Sequence, residues 1–264
     1  MATKNEEKAM TKFDYGADAG AGFENVETSD YNIPFLNVLQ DLSPPIKERR
    51  EGAELGKFWL TSTDLFLPGE EGVVVVPSKQ VHLFTEQTPG DRKFRGTHAL
   101  DSDVVLKAKA ESQEFGKFTH ENGNDLIETY LLFLTLINKG KADQCVMRFK
   151  STFIKGFKSF LSKSRNTTTP AEWGKPQEVP MWGAMYKMKT WLDTSNSKGD
   201  FYNIRFDYAG DKPEDYLINP ASDLYHGAKA FADFVSQDKA KVNFEQADGG
   251  ESSGEGEGNV KTEF

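Results

Sequence analysis

The chain has almost no cysteine and little histidine. Among 264 residues only Cys145 carries a thiol, which excludes an internal disulfide, and the four His lack the spacing of a zinc site. Cys145 lies in an apolar run, which favours a buried structural thiol. No stretch approaches the roughly 18 apolar residues of a membrane helix, and the start "MATKNEEKAM" lacks a signal-peptide core. We therefore expect an intracellular, cytoplasmic protein with no cofactor, no metal and no membrane partner.

The sequence also lacks the motifs of common catalytic sites. It contains no Walker loop, no G-x-S-x-G and no His–Cys pair with a plausible geometry. A metal-dependent nuclease would need clustered carboxylates. Acidic pairs such as Asp101 and Asp103 occur, but no spacing places three acids and a Lys on adjoining strands. We expect a protein that is not an enzyme, with the nuclease as the less favoured alternative.

Positive charge is scarce overall but concentrated in one window. The formal net charge is −9, and an excess of acidic residues in 1–31 and 245–264 accounts for all of it. Residues 144–192 instead hold nine basic residues against only Glu172 and Glu178. Because attraction is set within a Debye length of about 8 to 10 Å, an acidic protein can still bind a polyanion through such a window.

Composition divides the chain into three parts. Residues 1–22 and 246–264, the latter reading "QADGGESSGEGEGNVKTEF", hold too little apolar surface to offset the entropy of ordering. We expect a flexible N-terminal arm over 1–22, a single domain over 23–245 and a disordered acidic tail over 246–264. Residues 87–124 are polar with weak patterning, which indicates an insertion between two strands.

The domain is predicted to be mainly β with helices. Apolar and aromatic runs divided by Gly, Pro and Asn turns predict strands over 56–67, 72–86, 125–138, 143–150, 181–193 and 200–208. The segment 32–42 is predicted to be a short helical or mixed docking segment. A Phe stripe at helical spacing predicts an internal helix over 151–165, and a second apolar face after Ser222 predicts a C-terminal helix.

The order of these elements favours one architecture. Strands, one helix and a closing hairpin follow each other as in an OB-fold, whose β-face and loops bind single strands. We therefore expect an OB-fold-like antiparallel barrel of five or six strands, with an internal helix and a C-terminal helix.

The internal helix is the first candidate binding surface. Its Phe stripe (Phe153, Phe157, Phe160, Leu161) predicts a core face, and its basic residues point away from that face. A solvated polar face is the simpler interpretation, but the absence of any acid among these residues favours contact with a polyanion. The candidates are Arg148 and Lys150 on the preceding strand, with Lys155, Lys158, Lys163 and Arg165 on the helix.

The hairpin that follows is the more specific candidate. Alternate side chains of a strand share a face, so Tyr202, Ile204, Phe206 and Tyr208 form a core set. The opposite set brings cations and flat rings together, as sequence-tolerant binding of single strands requires. Packing alone would also explain the aromatic residues. The candidate residues are Lys187, Lys189, Trp191, Phe201 and Arg205.

Several segments resemble the single-stranded DNA-binding proteins of tailed bacteriophages. The resemblance covers about residues 23–244 and includes "FKSTFIKGFKSFLSKSR", "MYKMKTWLDTSNSKGDFYNIRFD" and "LYHGAKAFADFVSQ". It implies an OB-fold core, binding of single strands during DNA replication and recombination in the host cytoplasm, and an acidic tail ending in an aromatic residue that contacts replication proteins such as a polymerase, helicase or primase. The tail residues that match are Glu251, Glu255, Glu257, Glu263 and Phe264.

Two other functions stay open at this point. The aromatic hairpin could be the interface of a protein-binding module without affinity for nucleic acid, and a nuclease would show magnesium-dependent product formation. Affinity for a plain oligothymidine separates the first of these from single-strand binding.

Overall fold

The computed structural model of the protein describes residues 32–114, 116–194, 199–237 and 240–244. The predicted arm over 1–22 and the predicted tail over 246–264, with its candidate residues Glu255, Glu257, Glu263 and Phe264, lie outside these residues. The strands are β1 (Asn32–Ile33), β2 (Leu36–Val38), β3 (Phe58–Leu60), β4 (Leu65–Leu67), β5 (Val73–Gln87), β6 (Phe94–His98), β7 (Phe118–Thr119), β8 (Asp125–Asn138), β9 (Lys141–Lys150), β10 (Tyr186–Asp193), β11 (Phe201–Tyr208) and β12 (Lys241–Val242). The helices are α1 (Pro44–Lys47), α2 (Asp103–Glu111), α3 (Phe153–Arg165), α4 (Pro213–Tyr216) and α5 (Asp223–Ser236).

The main sheet is antiparallel and has Greek-key connectivity. Its central strands pair in the order β11-β10-β5-β8. β9 and β7 both pair with the other edge of β8, and β6 pairs with the same edge of β5 as β10 does. β5, β8 and β9 lie side by side and antiparallel, with β6, α2 and β7 inserted between β5 and β8 along the chain, and β10 returns after α3 to pair with β5. A fourth strand that returns beside the first defines the Greek key. Lys139 and Gly140, both at positive φ, form the two-residue turn between β8 and β9.

The prediction of a mainly β protein with an internal helix and a C-terminal helix is confirmed. None of the sheets among the described residues closes into a barrel, since β9 and β11 do not pair with each other, and other elements lie against the outer edges of both strands. Beside β9, the Val146 amide donates to the Pro34 carbonyl at 2.9 Å. Beside β11, a Cβ at Gly156 of α3 would lie 2.8 Å from the Ile204 carbonyl oxygen, so the helix lies directly against the strand.

The segment 32–42 is not the helical or mixed segment that we expected. Leu36 and Val38 are buried on alternate positions of β2, which pairs with β3, and β3 pairs with β4. The run 56–67 is two short strands rather than one. The short apolar stretch before Pro44 fits both the helical and the strand period. Its pairing partner β3, which decides for a strand, lies about 20 residues further along the chain.

The largest hydrophobic cluster lies between the main sheet, the β2–β4 sheet and α3. Phe157 and Phe160 of α3 are buried in it, with Phe153 and Leu161 packed at its margin, as the Phe stripe predicts. Ile204 and Phe206 of β11 are buried there as well. The opposite face of β8 and β9 packs against α5 through Phe231 and Val235, in a second cluster. Cys145 is fully buried in the first cluster, as expected.

The insertion predicted around 87–124 contains β6, α2 and β7. Ser102 caps α2 by accepting from the Val105 amide. Val105 and Ala108 of this helix pack on Phe84 of β5 and Leu126 of β8. α2 therefore sits over the end of the β5–β8 pair that lies beyond the main core.

Candidate nucleic-acid interface

The β10–β11 hairpin presents the predicted set of side chains on one face, which we call the hairpin face. The register places Lys187 opposite Asp207, Lys189 opposite Arg205, and Trp191 opposite Asn203. Tyr186, Met188 and Thr190 point to the buried side, so the alternation of β10 is as predicted. The hairpin face consists of Lys187, Lys189, Trp191, Phe201, Asn203, Arg205 and Asp207.

The two lysines of the hairpin face pack through their aliphatic carbons on the backbone at Gly72. Gly72, at a φ of +83°, leaves room for the two lysines: a Cβ there would lie 2.6 Å from Lys189 Cγ and 3.3 Å from Lys187 Cγ. The aliphatic stems thus pack on the backbone while the ammonium groups extend beyond it. The residues Trp191 and Arg205 are exposed, Trp191 at 41%. This arrangement offers a flat ring beside three positive groups.

Phe201 differs from Trp191 in its surroundings. Its ring meets Phe153 of α3 edge-on, with centroids 6.5 Å apart and an interplanar angle of 90°. Phe201 is half-buried by this contact. Trp191 is therefore the ring of the hairpin face with the most surface open to a ligand.

Asp207 is an acidic member of the hairpin face that the sequence reasoning did not include. Its carboxylate lies 3.5 Å from Arg205 Nε and 3.8 Å from Lys163 Nζ. The alternation that selects Phe201, Asn203 and Arg205 also selects position 207, so the signal was in the sequence. Asp207 lowers the net positive charge of the face and orients Arg205.

The basic residues of α3 do not form one surface. Lys163 is directed to β11, where it donates to the Phe206 carbonyl at 2.6 Å and lies 5.4 Å from the Tyr208 ring centroid. Lys158 is directed to β8 instead, 5.5 Å from the Tyr130 ring centroid. Lys155 and Arg165 are exposed. Thus Lys163 fastens the helix to the hairpin, and Lys158 belongs to a separate cluster.

Arg148 and Lys150 lie on β9, on the face opposite to Cys145 and Met147. In the main sheet β9 is separated from β10 by β8 and β5, so strand pairing does not bring these two residues to the hairpin face. Both are half-buried and engaged in interactions. Alternation along β9 puts both residues on the same face as Val146. It does not show that this face packs against α5, which is seen only in the structure.

A polar cluster on the inner face of β5 and β8 was also missed. His82 and Tyr130 lie opposite each other, and their rings stack with centroids 3.9 Å apart. Glu128 Oε1 accepts from His82 Nε2 at 3.0 Å and from the Tyr130 hydroxyl at 3.1 Å. Burial raises the pKa of Tyr130 to about 12, and the nearby Glu128 carboxylate raises it too. The residues are distant in sequence and follow no motif, so only the register reveals the cluster.

A buried carboxylate, Glu86, holds the insertion to β5. It accepts from His98 Nε2 at 2.7 Å, from Asn122 Nδ2 at 2.8 Å and from Asn124 Nδ2, and His120 Nδ1 lies 3.8 Å away. Burial alone would raise the pKa of Glu86. The hydrogen bonds from Asn124, Asn122 and His98 and the charge of His120 outweigh burial and lower the pKa to about 2. The carboxylate is therefore charged throughout the physiological range.

Within the described part of the chain, no group of three or more His, Cys, Asp or Glu has a geometry that could hold a metal ion. No helix in this part is long and apolar enough to cross a membrane.

Residues 3–241 match the family model described as Pam3 phage gp34-like protein, which covers most of the chain. No match was found among curated proteins or among solved structures.

Proposed function

Since the chain belongs to the Pam3 phage gp34-like family, we propose that it is a phage protein that binds single-stranded DNA with little sequence preference, without catalysis, during replication or recombination of the phage genome. The observation that carries the proposal is the hairpin face, where Trp191 stands beside Lys187, Lys189 and Arg205. Cations follow phosphates, and a flat ring stacks on any base.

The connectivity of the main sheet supports this proposal. The antiparallel strands β5, β8 and β9, then α3, then the β10–β11 hairpin follow the order of an OB-fold in a more open form. OB-folds bind oligonucleotides with a β-face and the loops beside it. The proposed partners are single-stranded DNA and, through the acidic C-terminal segment with Glu255, Glu257, Glu263 and Phe264, replication proteins of the phage.

The direct test is fluorescence anisotropy of a labelled oligothymidine, titrated with the full chain at several salt concentrations beside the matching duplex. Trp191→Ala should weaken binding by about 1 to 3 kcal/mol, the contribution of one stacked base, with little change in salt dependence. Lys189→Ala should weaken binding and also reduce the slope of log K against log salt by about 0.7, because one phosphate contact is lost.

Lys229→Ala is the matched control. Lys229 is an exposed lysine of α5, on a different element from the hairpin face. It should leave both affinity and salt slope unchanged. Equal affinity of the Trp191 and Lys189 variants and the original chain for the oligonucleotide would overturn the assignment of the hairpin face.

A protein-binding module is the second candidate, and one observation favours it. Leu42, Leu55 and Leu192 are large exposed apolar residues near one end of the hairpin. Gln40 bonds to the Tyr202 backbone through both its amide atoms, and Leu192 lies opposite Tyr202. If the protein does not bind oligothymidine at low salt, even after residues 246–264 are removed, that result would favour the protein-binding module.

A further inference from the structure

The inner face of β5 and β8 carries an aromatic platform, the stacked rings of His82 and Tyr130. Lys109 of α2 lies over the neighbouring Phe84 ring, and Lys158 of α3 lies over the Tyr130 ring. We call this surface the His82 site and define it by His82, Glu128, Tyr130, Lys109 and Lys158. The His82 ring lies at an interplanar angle of 15° to Tyr130, and its side chain is 25% exposed. A ring that is already stacked and hydrogen-bonded loses little freedom when a base stacks on it.

Glu128 gives this platform a polar edge. The contacts of Glu128 with His82, Tyr130 and Lys158 all use Oε1. Oε2 has no partner among the described residues, and the side chain is 35% exposed. An ionised carboxylate only accepts hydrogen bonds. It therefore favours a base with an exocyclic amino group, such as N4 of cytosine, over thymine, which presents the O4 acceptor at the same position.

Two lysines flank the platform from different elements. Lys158 of α3 is 55% exposed and lies 4.0 Å from Glu128 Oε1. Lys109 of α2 lies 5.0 Å from the ring centroid of Phe84, two residues along β5 from His82. Burial lowers the pKa of His82, the Glu128 carboxylate opposes this, and the positive charges of Lys158 and Lys109 lower the pKa further. The two lysines supply positive charge for the phosphates on either side of a stacked nucleotide.

We propose that the His82 site is a nucleotide site of the bound single strand that prefers cytosine to thymine, with His82 as the stacking platform, Glu128 Oε2 as the acceptor for the amino group, and Lys109 and Lys158 as phosphate contacts. This inference rests on the proposed function and deepens it. The hairpin face tolerates any base, whereas the His82 site distinguishes bases by one exocyclic group.

The experiment compares oligocytidine and oligothymidine of equal length by fluorescence anisotropy at pH 8 with the full chain. Oligocytidine should bind about 10- to 100-fold more tightly, the effect of one hydrogen bond to a charged acceptor. Glu128→Gln should bring the ratio of the two affinities to about 1, because an amide can face either base. Lys158→Ala should weaken both complexes and leave the ratio of the two affinities unchanged. Glu114→Gln, which changes an exposed acid of the insertion, should alter neither the affinities nor their ratio.

A change in the ligand tests the same contact without altering the protein. Oligomers of N4,N4-dimethylcytosine lack the amino donor and should lose the preference over thymine. Equal binding of oligocytidine and oligothymidine by the original chain, or a preference that survives both Glu128→Gln and dimethylation, would overturn the inference while leaving the proposed function intact. Failure of every oligonucleotide to bind would overturn both.

Discussion

The charged state of Glu86 makes a definite contribution to stability that depends on pH. The pKa of this carboxyl falls from 4.5 in a free side chain to about 2 in the folded protein. By linkage, a group whose pKa is lowered on folding stabilises the fold at pH values above its ordinary pKa, and this contribution is lost as the pH falls toward the folded value. The difference corresponds to about 3 kcal/mol.

Glu86→Gln is the perturbation that isolates this contribution, because glutamine has the same shape and no charge. At pH 7 the variant should be less stable than the original chain by roughly 3 kcal/mol. Between about pH 4.5 and pH 2 the difference should shrink, because the original carboxylate becomes protonated. Urea unfolding followed by circular dichroism at a series of pH values gives both free energies directly.

Glu114→Gln serves as the control, because Glu114 lies in the same insertion but is exposed and pairs with Lys117. It should follow the original chain at every pH. A constant difference between the Glu86 variant and the original chain from pH 7 to pH 2 would refute the reasoning. That result would mean that His98, Asn122 and Asn124 do not hold the carboxylate in its charged form.

Three further predictions concern other parts of the molecule. Gly156→Ala should destabilise the fold by about 1 to 3 kcal/mol, measured by thermal unfolding, because its Cβ would push α3 away from the Ile204 carbonyl; equal melting temperatures would contradict this close approach. Cys145 should react with a thiol reagent only after denaturation, because the side chain is fully buried and burial raises its pKa; modification in native buffer would contradict its placement in the core. Removal of residues 246–264 should tighten DNA binding at low salt if this acidic segment competes with DNA for basic residues, and weaker binding in the anisotropy assay would count against competition.

Long, strongly patterned elements were predictable from the sequence, and their boundaries differ little from the structure. β8 spans Asp125–Asn138 as expected, and α3 begins at Phe153 with its Phe stripe buried. These elements carry their own signal, since the apolar period repeats several times within each of them. The same alternation placed Lys187, Lys189, Trp191 and Arg205 on one face of the hairpin.

Contacts between distant segments were not predictable in this way. β2 and β3 are too short for a period to distinguish strand from helix, and their pairing is decided by tertiary contact. The His82 site depends on the register between β5 and β8, which brings together His82 and Tyr130, 48 positions apart. Likewise, the separation of Lys158 from Lys163 depends on which strand each side of α3 contacts, and a helical wheel does not carry that information.

The covered edges of the main sheet have a consequence for self-association. A sheet that does not close into a barrel would leave rows of unpaired amide and carbonyl groups, which can template strand-to-strand aggregation. Here α3 lies along β11, and the segment at Pro34 and Phe35 lies along β9. We therefore expect the segment at Pro34 and Phe35 to keep the β9 edge from pairing with another copy of the chain. Chains truncated past Phe35 should form β-rich aggregates.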